Sequence, residues 1–138
     1  MTSRRPVRRP AKRRVPPREA ESPDLLRWVE AVCADHKAVD GVVMDLRRLS
    51  DATDFFVVVS GTSDTHVRAI AEHVVEDLRQ RGVRPHHVEG LAGGRWVLLD
   101  FVDLVVHVFH PALREFYQLE GLWGDAPLRP VRTGEEPR

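Results

Sequence analysis

Residues 54–74, DFFVVVSGTSDTHVRAIAEHV, join a strand pattern to a helix pattern. Apolar side chains fill five successive positions, 55–59, which is typical of a strand covered on both faces and therefore central in its sheet. A small polar cluster around Gly61 follows. Apolar residues then recur at helical spacing, at Val67, Ile70, Val74 and Leu78. The stretch predicts a strand, a tight loop and an amphipathic helix.

A loop of this kind can hold a phosphate, because the amides and the dipole at a helix N-terminus favour an anion. The Ser60-Gly61 loop lacks the Gly-Lys-Ser/Thr of a Walker loop, and it lacks the second and third glycines of the dinucleotide fingerprint. We therefore predict that it is a structural turn and that Thr62, Ser63 or Asp64 caps the helix.

A nucleotidyltransferase places a similar loop before two aspartates one residue apart, which hold its metal ions. No Asp-x-Asp occurs in this chain. Asp100 and Asp103 are three residues apart and flank a predicted turn, so they do not share a strand face in that manner. We assign no catalytic or cofactor-binding residue. A nucleotide-binding or nucleotidyltransferase-type enzyme stays as the alternative hypothesis.

The remaining patterns complete one α/β domain. A helix pattern begins at Ser22, GVVMDL follows Gly41 as a strand, and a short helix begins at Pro111. Between the last two helices, PHHVEG, RWVLLDF and DLVVHVF are strand-like runs that predict a meander of hairpins. The predicted fold is a single-domain α/β sandwich, with a mixed five-stranded sheet and helices mainly on one face.

Composition predicts one domain with tails. Residues 1–21 are rich in proline and arginine and predict a disordered basic tail, residues 22–127 form the domain, and residues 128–138 form a flexible C-terminal tail. No apolar run approaches the roughly 20 residues that a membrane span needs, and no apolar segment follows the basic start as in a secretory signal. With Cys33 as its only cysteine, the chain cannot form an intrachain disulfide and fits a reducing compartment.

The net charge of zero hides a separation of charge. Residues 1–18 carry eight basic residues and no acidic one. The other 13 basic residues stand against all 21 acidic ones, so residues 19–138 carry a net charge of −8. This separation predicts contact with a polyanion at the tail, or merely a solvated extension, and attraction of the body to a basic partner.

Histidines suggest no metal site. His86 and His87 are adjacent on a strand and point to opposite faces, while no cysteine or carboxylate pattern completes a zinc site at the usual spacing.

The hairpin around residues 96–109 carries the clearest surface signal. Alternation places Trp96, Leu98 and Asp100 on one face, together with His107 of the following strand. Both faces of the hairpin carry large apolar groups, although we expect helices to cover only one of them. The other face is either core or a surface that meets a partner.

Three segments together resemble the ribosomal silencing factor family, also called the Iojap family. They are the first helix, TDFFVVVSGTSDTHVRAIAEHV at 53–74, and VEGLAGGRWVLLDFVDLVVHVFHPALREFYQLEGLWGDA at 88–126. The resemblance spans residues 23–127. Val102 stands where members of this family usually have glycine, which leaves the geometry of that turn open; His66 and Phe56 replace a common glutamine and tyrosine.

The resemblance implies a bacterial, cytoplasmic translational repressor that is not an enzyme. It implies binding to the large ribosomal subunit through the L-fourteen ribosomal protein, which blocks joining of the small subunit when nutrients run short, and it implies homodimers. The implied fold is nucleotidyltransferase-like without the catalytic residues, and no cofactor is implied. The basic tail could add contacts to rRNA phosphates. The candidate partner-binding residues are Trp96, Leu98, Asp100, Asp103 and His107, with Glu89, Tyr117 and Trp123 as outer members.

Overall fold

The computed structural model describes residues 22–116 and 124–132. Its helices are α1 Ser22–Asp35, α2 Asp64–Gln80 and α3 Pro111–Phe116. Its strands are β1 Val39–Asp45, β2 Phe55–Ser60, β3 His87–Glu89, β4 Trp96–Asp100, β5 Leu104–Phe109 and β6 Leu128–Pro130. The predicted tail 1–21 lies outside the described residues.

The strands form one mixed sheet in the order β3-β4-β5-β2-β1-β6. The β2 and β5 strands pair in parallel, and the other neighbours are antiparallel. This arrangement confirms the predicted α/β class, the meander of β3, β4 and β5, and the central position of β2. All but one of the β2 residues are buried, as its uninterrupted apolar pattern requires.

The sheet has six strands, so the prediction of five was wrong by one. The additional strand is β6, which falls in residues 128–138 that were predicted to be a flexible tail. Long-range contacts hold it, among them backbone pairing with β1 from Val42 to Met44 and an ion pair from Arg129 to the buried carboxylate of Glu30 on α1. The strand was missed because three residues, one of them Pro130, are too few to show the alternation of apolar and polar side chains that identifies a strand.

Helices α1 and α2 pack side by side on one face of the sheet, as predicted. Their apolar stripes meet the inward residues of β2, β4 and β5 in one buried cluster, which includes Val29, Ile70, Val57, Leu99 and Val106. Burying a side chain of this size stabilises the fold by about 1.5–3 kcal/mol. The chain therefore places its main core between the helices and this first face of the sheet.

A second, smaller core lies on the opposite face. Met44, Val58 and Phe109 are completely buried there, and Leu113 of α3 packs against them. The short α3 helix therefore covers part of the face that α1 and α2 leave uncovered. None of the helices in the described ranges is long and apolar enough to cross a membrane.

Candidate functional site

The strand register brings most of the predicted partner-binding residues together on the second face. Trp96 pairs with Phe109, Leu98 with His107 and Asp100 with Val105 across β4 and β5. On the other side of β4, Glu89 of β3 pairs with Leu98. Alternation along antiparallel strands places paired residues on the same face. The predicted division of the hairpin into two faces is confirmed.

We call the accessible part of this face the hairpin surface. Its central residues are half-buried and its edge on β3 is exposed. It comprises His87, Glu89, Trp96, Leu98, Asp100 and Val105. Carboxylates at two of these six positions flank apolar residues, which is the composition of a small protein-binding patch with a polar rim.

Two residues of β5, His107 and Phe109, contact the side chain of Trp96 and fix its orientation. Its indole Nε1–H donates to Nδ1 of His107 at 3.2 Å, and its ring lies 4.9 Å from the ring of Phe109. The His107 ring also meets the edge of Phe56, with centroids 4.7 Å apart. A tryptophan fixed in one orientation loses little conformational entropy on binding, so it suits the centre of an interface.

His107 itself is a supporting residue. Its side chain is 4% exposed, so it lies beneath the surface that a partner would touch. Since Nδ1 accepts from Trp96, the proton of the neutral ring is on Nε2, which is buried and has no hydrogen-bond partner in the part of the chain that the structure describes. Burial lowers the pKa of His107 from 6.5 to about 4. The ring is therefore neutral at physiological pH.

Asp103 does not share the hairpin surface. It is 2% exposed at the start of β5, and its backbone oxygen accepts from the amides of Asp54 and Phe55. Alternation predicts which face of the sheet a strand residue lies on, but it does not predict how deeply the residue is buried. Asp103 also precedes the first residue of β5. Its position supports a role in joining β5 to β2. The remaining two candidates, Tyr117 and Trp123, lie outside the described residues.

The structure adds two residues that the sequence reasoning did not select. His87 of β3 lies opposite Asp100 on the same face, and its Nε2 is 2.7 Å from a carboxylate oxygen of Glu89. Val105 completes the apolar centre beside Leu98. Register could have identified both, because each is directly paired with a predicted residue.

The turn between β4 and β5 has an unusual backbone. Val102 has φ of 74°, and the residue is 45% exposed. A β-branched residue in this region is an outlier, and the conformation costs on the order of 1–3 kcal/mol. Asp100 stabilises it by accepting the amide N–H of Val102 at 2.8 Å. This answers the question of turn geometry that the sequence left open.

The Ser60-Gly61 loop is a tight turn whose amides are bonded within the chain. The Gly61 N–H donates to the oxygen of Phe109, and the Thr62 N–H donates to Nδ1 of His66. A Cβ atom on Gly61 would lie 2.8 Å from the amide nitrogen of Val67, so the loop needs glycine for close approach to α2. These contacts support the structural role that the sequence predicted.

The helix after the loop begins with one of the three predicted caps. The hydroxyl of Ser63 accepts the amide N–H of His66 at 3.1 Å. The other ring nitrogen of His66 contacts the oxygen of His36 at 2.8 Å, which ties the end of α1 to the start of α2. Nearby, the Ser60 hydroxyl accepts from Arg114. Within residues 22–116 and 124–132, no cluster of three histidine, cysteine or acidic residues is arranged to hold a metal ion.

Comparison with known proteins identifies the family. The family model described as "Ribosomal silencing factor during starvation" matches residues 19–138. The chain is 40% identical over 110 residues to "Ribosomal silencing factor RsfS" of Bacillus subtilis strain 168, which covers 80% of this chain and 93% of the relative. The names of these matches are those of silencing factors and not of enzymes.

Two further matches extend the comparison. A crystal structure of a protein from Chromobacterium violaceum matches with a TM-score of 0.74 and 31% identity, covering 86% of this chain and 98% of that one. The mouse protein named "Mitochondrial assembly of ribosomal large subunit protein 1" is 38% identical over 74 residues, covering 51% of this chain and 32% of the relative. The chain therefore belongs to the ribosomal silencing factor family and has a ribosome-associated silencing role.

Proposed function

We propose that this protein represses translation by binding the large ribosomal subunit through the L-fourteen ribosomal protein. The hairpin surface makes the contact, and the bound domain keeps the small subunit from joining, especially under nutrient limitation. The observation that carries the proposal is Trp96, a half-buried indole that His107 and Phe109 hold in one orientation within the apolar part of a patch with an acidic rim. A fixed aromatic anchor of this kind commonly supplies a large share of the binding energy.

Charge supports a basic partner. Residues 19–138 carry a net charge of −8, and Glu89 and Asp100 lie on the hairpin surface. Proteins that bind within a ribosome carry many lysines and arginines to neutralise RNA phosphates. An acidic face attracts such a protein and raises the association rate at low salt.

The mechanism is steric and needs no reaction. A domain of about 100 residues has a radius of gyration of about 13 Å, so it fills a substantial part of a contact zone between two larger bodies. The loop that would hold a phosphate in an enzyme uses the amides of Gly61 and Thr62 within the chain. We therefore propose a binding protein without enzymatic activity.

The basic N-terminal tail adds a second contact in this proposal. Its eight basic residues within positions 1–18 would bind rRNA phosphates next to the protein contact. Binding through phosphates weakens steeply as salt rises. Deleting residues 1–18 should therefore reduce both the affinity for large subunits and its dependence on salt. An unchanged dependence on salt would remove the tail from the interface.

Co-sedimentation with purified bacterial large subunits tests the proposal. Trp96→Ala and Leu98→Ala should each weaken binding by at least tenfold, because both side chains belong to the apolar centre. Leu128→Ala is a matched control, since Leu128 is 51% exposed on β6, four strand spacings or about 19 Å from β4. The proposal fails if wild-type protein stays in the supernatant, or if all three variants bind equally well.

A further inference from the structure

The turn that joins β4 to β5 is a tight one centred on Val102. The amide N–H of Asp103 donates to the oxygen of Phe101 at 2.9 Å, which closes a three-residue turn around a central residue with φ of 74°. This is the γ-turn of positive φ, which is rare and strained, and most of all for a β-branched side chain.

The surrounding contacts hold this conformation firmly. Phe101 donates to the oxygen of Leu104 at 2.8 Å, and the amide of Val102 itself donates to Asp100. The oxygen of Asp103 accepts from two residues at the start of β2. Strain of this kind persists only where the neighbouring structure determines the backbone, and it is characteristic of functional sites.

The strained residue lies outside both hydrophobic cores of the fold. Val102 is 45% exposed, and glycine could adopt the same φ without strain. Val102 is therefore an apolar group that the turn presents to solvent. Its amide is bonded to Asp100, a residue of the hairpin surface, so residue 102 lies next to the end of that surface.

We propose that Val102 is a specificity-determining contact of the hairpin surface and inserts into an apolar depression on the same basic partner. This inference rests on the proposed function. We expect the partner to be basic for two reasons. Val102 adjoins Asp100 in the acidic rim, and residues 19–138 carry a net charge of −8. Val102 lies at the tip of the hairpin, so it extends the contact beyond the apolar centre at Trp96 and Leu98.

Two substitutions distinguish the contribution of the Val102 side chain to binding from the effect of the backbone strain on stability. Val102→Thr keeps the shape and the β-branching but replaces a methyl group by a hydroxyl, so stability should stay unchanged while the affinity for purified bacterial large subunits falls about tenfold. Val102→Gly removes both the side chain and the strain, so Tm should rise by about 3 °C while the affinity falls at least as far.

Val39→Thr is the matched control. Val39 is 37% exposed and lies beside Ser60, at the end of the sheet away from Val102, so this substitution should leave the affinity unchanged. Wild-type affinity in both Val102 variants would overturn the inference and leave the proposed function standing. A lower Tm in Val102→Gly would also overturn it, because the turn would not be strained. If wild-type protein fails to bind the subunits, the proposed function fails, and the inference fails with it.

Discussion

The indole N–H of Trp96 donates to Nδ1 of His107 at 3.2 Å, across neighbouring strands of the second face. This hydrogen bond joins a half-buried aromatic residue to a buried imidazole. It fixes the tautomer of the histidine and the orientation of the indole together. Trp96, which a partner could touch, is thereby positioned by His107, which lies too deep for a partner to reach.

Replacing His107 tests this positioning. His107→Phe keeps an aromatic ring among Phe56, Trp96 and Phe109 and removes the buried Nε2–H, so stability at pH 7 should change by less than about 1.5 kcal/mol. The indole loses its acceptor, so binding to large subunits should weaken several-fold. Equal affinity of wild type and variant would show that the hydrogen bond does not position Trp96.

Stability should depend on pH through the same histidine. The pKa of His107 is lowered from 6.5 to about 4, so between these values the unfolded chain binds more protons than the folded one. The contribution of neutral His107 to the free energy of unfolding is therefore complete above pH 6.5. It falls as the pH drops towards 4, by about 3 kcal/mol in total. Urea unfolding at pH 7 and pH 4.5 measures this loss.

His107→Phe is the control for the pH experiment. Other titratable groups, including His36, whose pKa is also lowered by burial, are present in both proteins. The difference between wild type and variant isolates His107. If the two proteins lose the same stability between pH 7 and pH 4.5, the depressed pKa is contradicted.

The edge strand β6 should depend on Glu30. This buried carboxylate accepts from both terminal nitrogens of Arg129, at 2.8 and 2.7 Å, and from the amide of Arg132 at 2.7 Å. Glu30→Gln removes the buried negative charge that pairs with Arg129, so the free energy of unfolding should fall by about 2 to 3 kcal/mol. Amide exchange of residues 128–130 should accelerate.

Asp24→Asn provides a comparison on the same helix. Its ion pair with Arg27 is exposed, with side chains 44% and 65% accessible, so removing it should cost less than about 0.5 kcal/mol. A loss of equal size in the two variants would mean that Glu30 does not hold β6 to α1.

Electrostatic attraction should govern the association rate. Asp100→Lys reverses a charge on the hairpin surface and should slow association with large subunits by about tenfold at low salt, with the difference shrinking as salt is added. Asp100→Asn keeps an oxygen that can accept the Val102 amide, so it should slow association less without disturbing the turn. Glu72→Lys, on an exposed position of α2, is the control. The acidic rim has no role if all three variants associate equally fast.

Nucleotides should not bind to the Ser60-Gly61 loop. The amides of Gly61 and Thr62 are bonded within the chain, and the Ser60 hydroxyl accepts from Arg114. Calorimetric titration with nucleoside triphosphates and magnesium should therefore give no saturable heat. Saturable binding that Gly61→Ala abolishes would favour the nucleotide-binding alternative.

Periodicity in the sequence predicted the parts of the site that depend on local pattern. The unbroken apolar run at 55–59 identified the central strand, and the alternation from Trp96 to Asp100 assigned each side chain to the correct face. Periodicity could not predict how deeply a residue is buried, because the burial of His107 and Asp103 depends on the residues that pack against them. The β6 strand was missed because residues 30 and 129, which hold it, are 99 positions apart. The positive φ of Val102 contradicts the local preference of valine, so only its neighbours determine it.

A subunit-joining experiment tests the central claim most directly. Large subunits are first saturated with the protein, small subunits are added, and the fraction of joined ribosomes is measured by sedimentation. The account predicts that wild-type protein and Leu128→Ala lower this fraction, whereas Trp96→Ala at the same concentration does not. A joined fraction that stays unchanged while wild-type protein remains bound to the large subunit would contradict the steric mechanism.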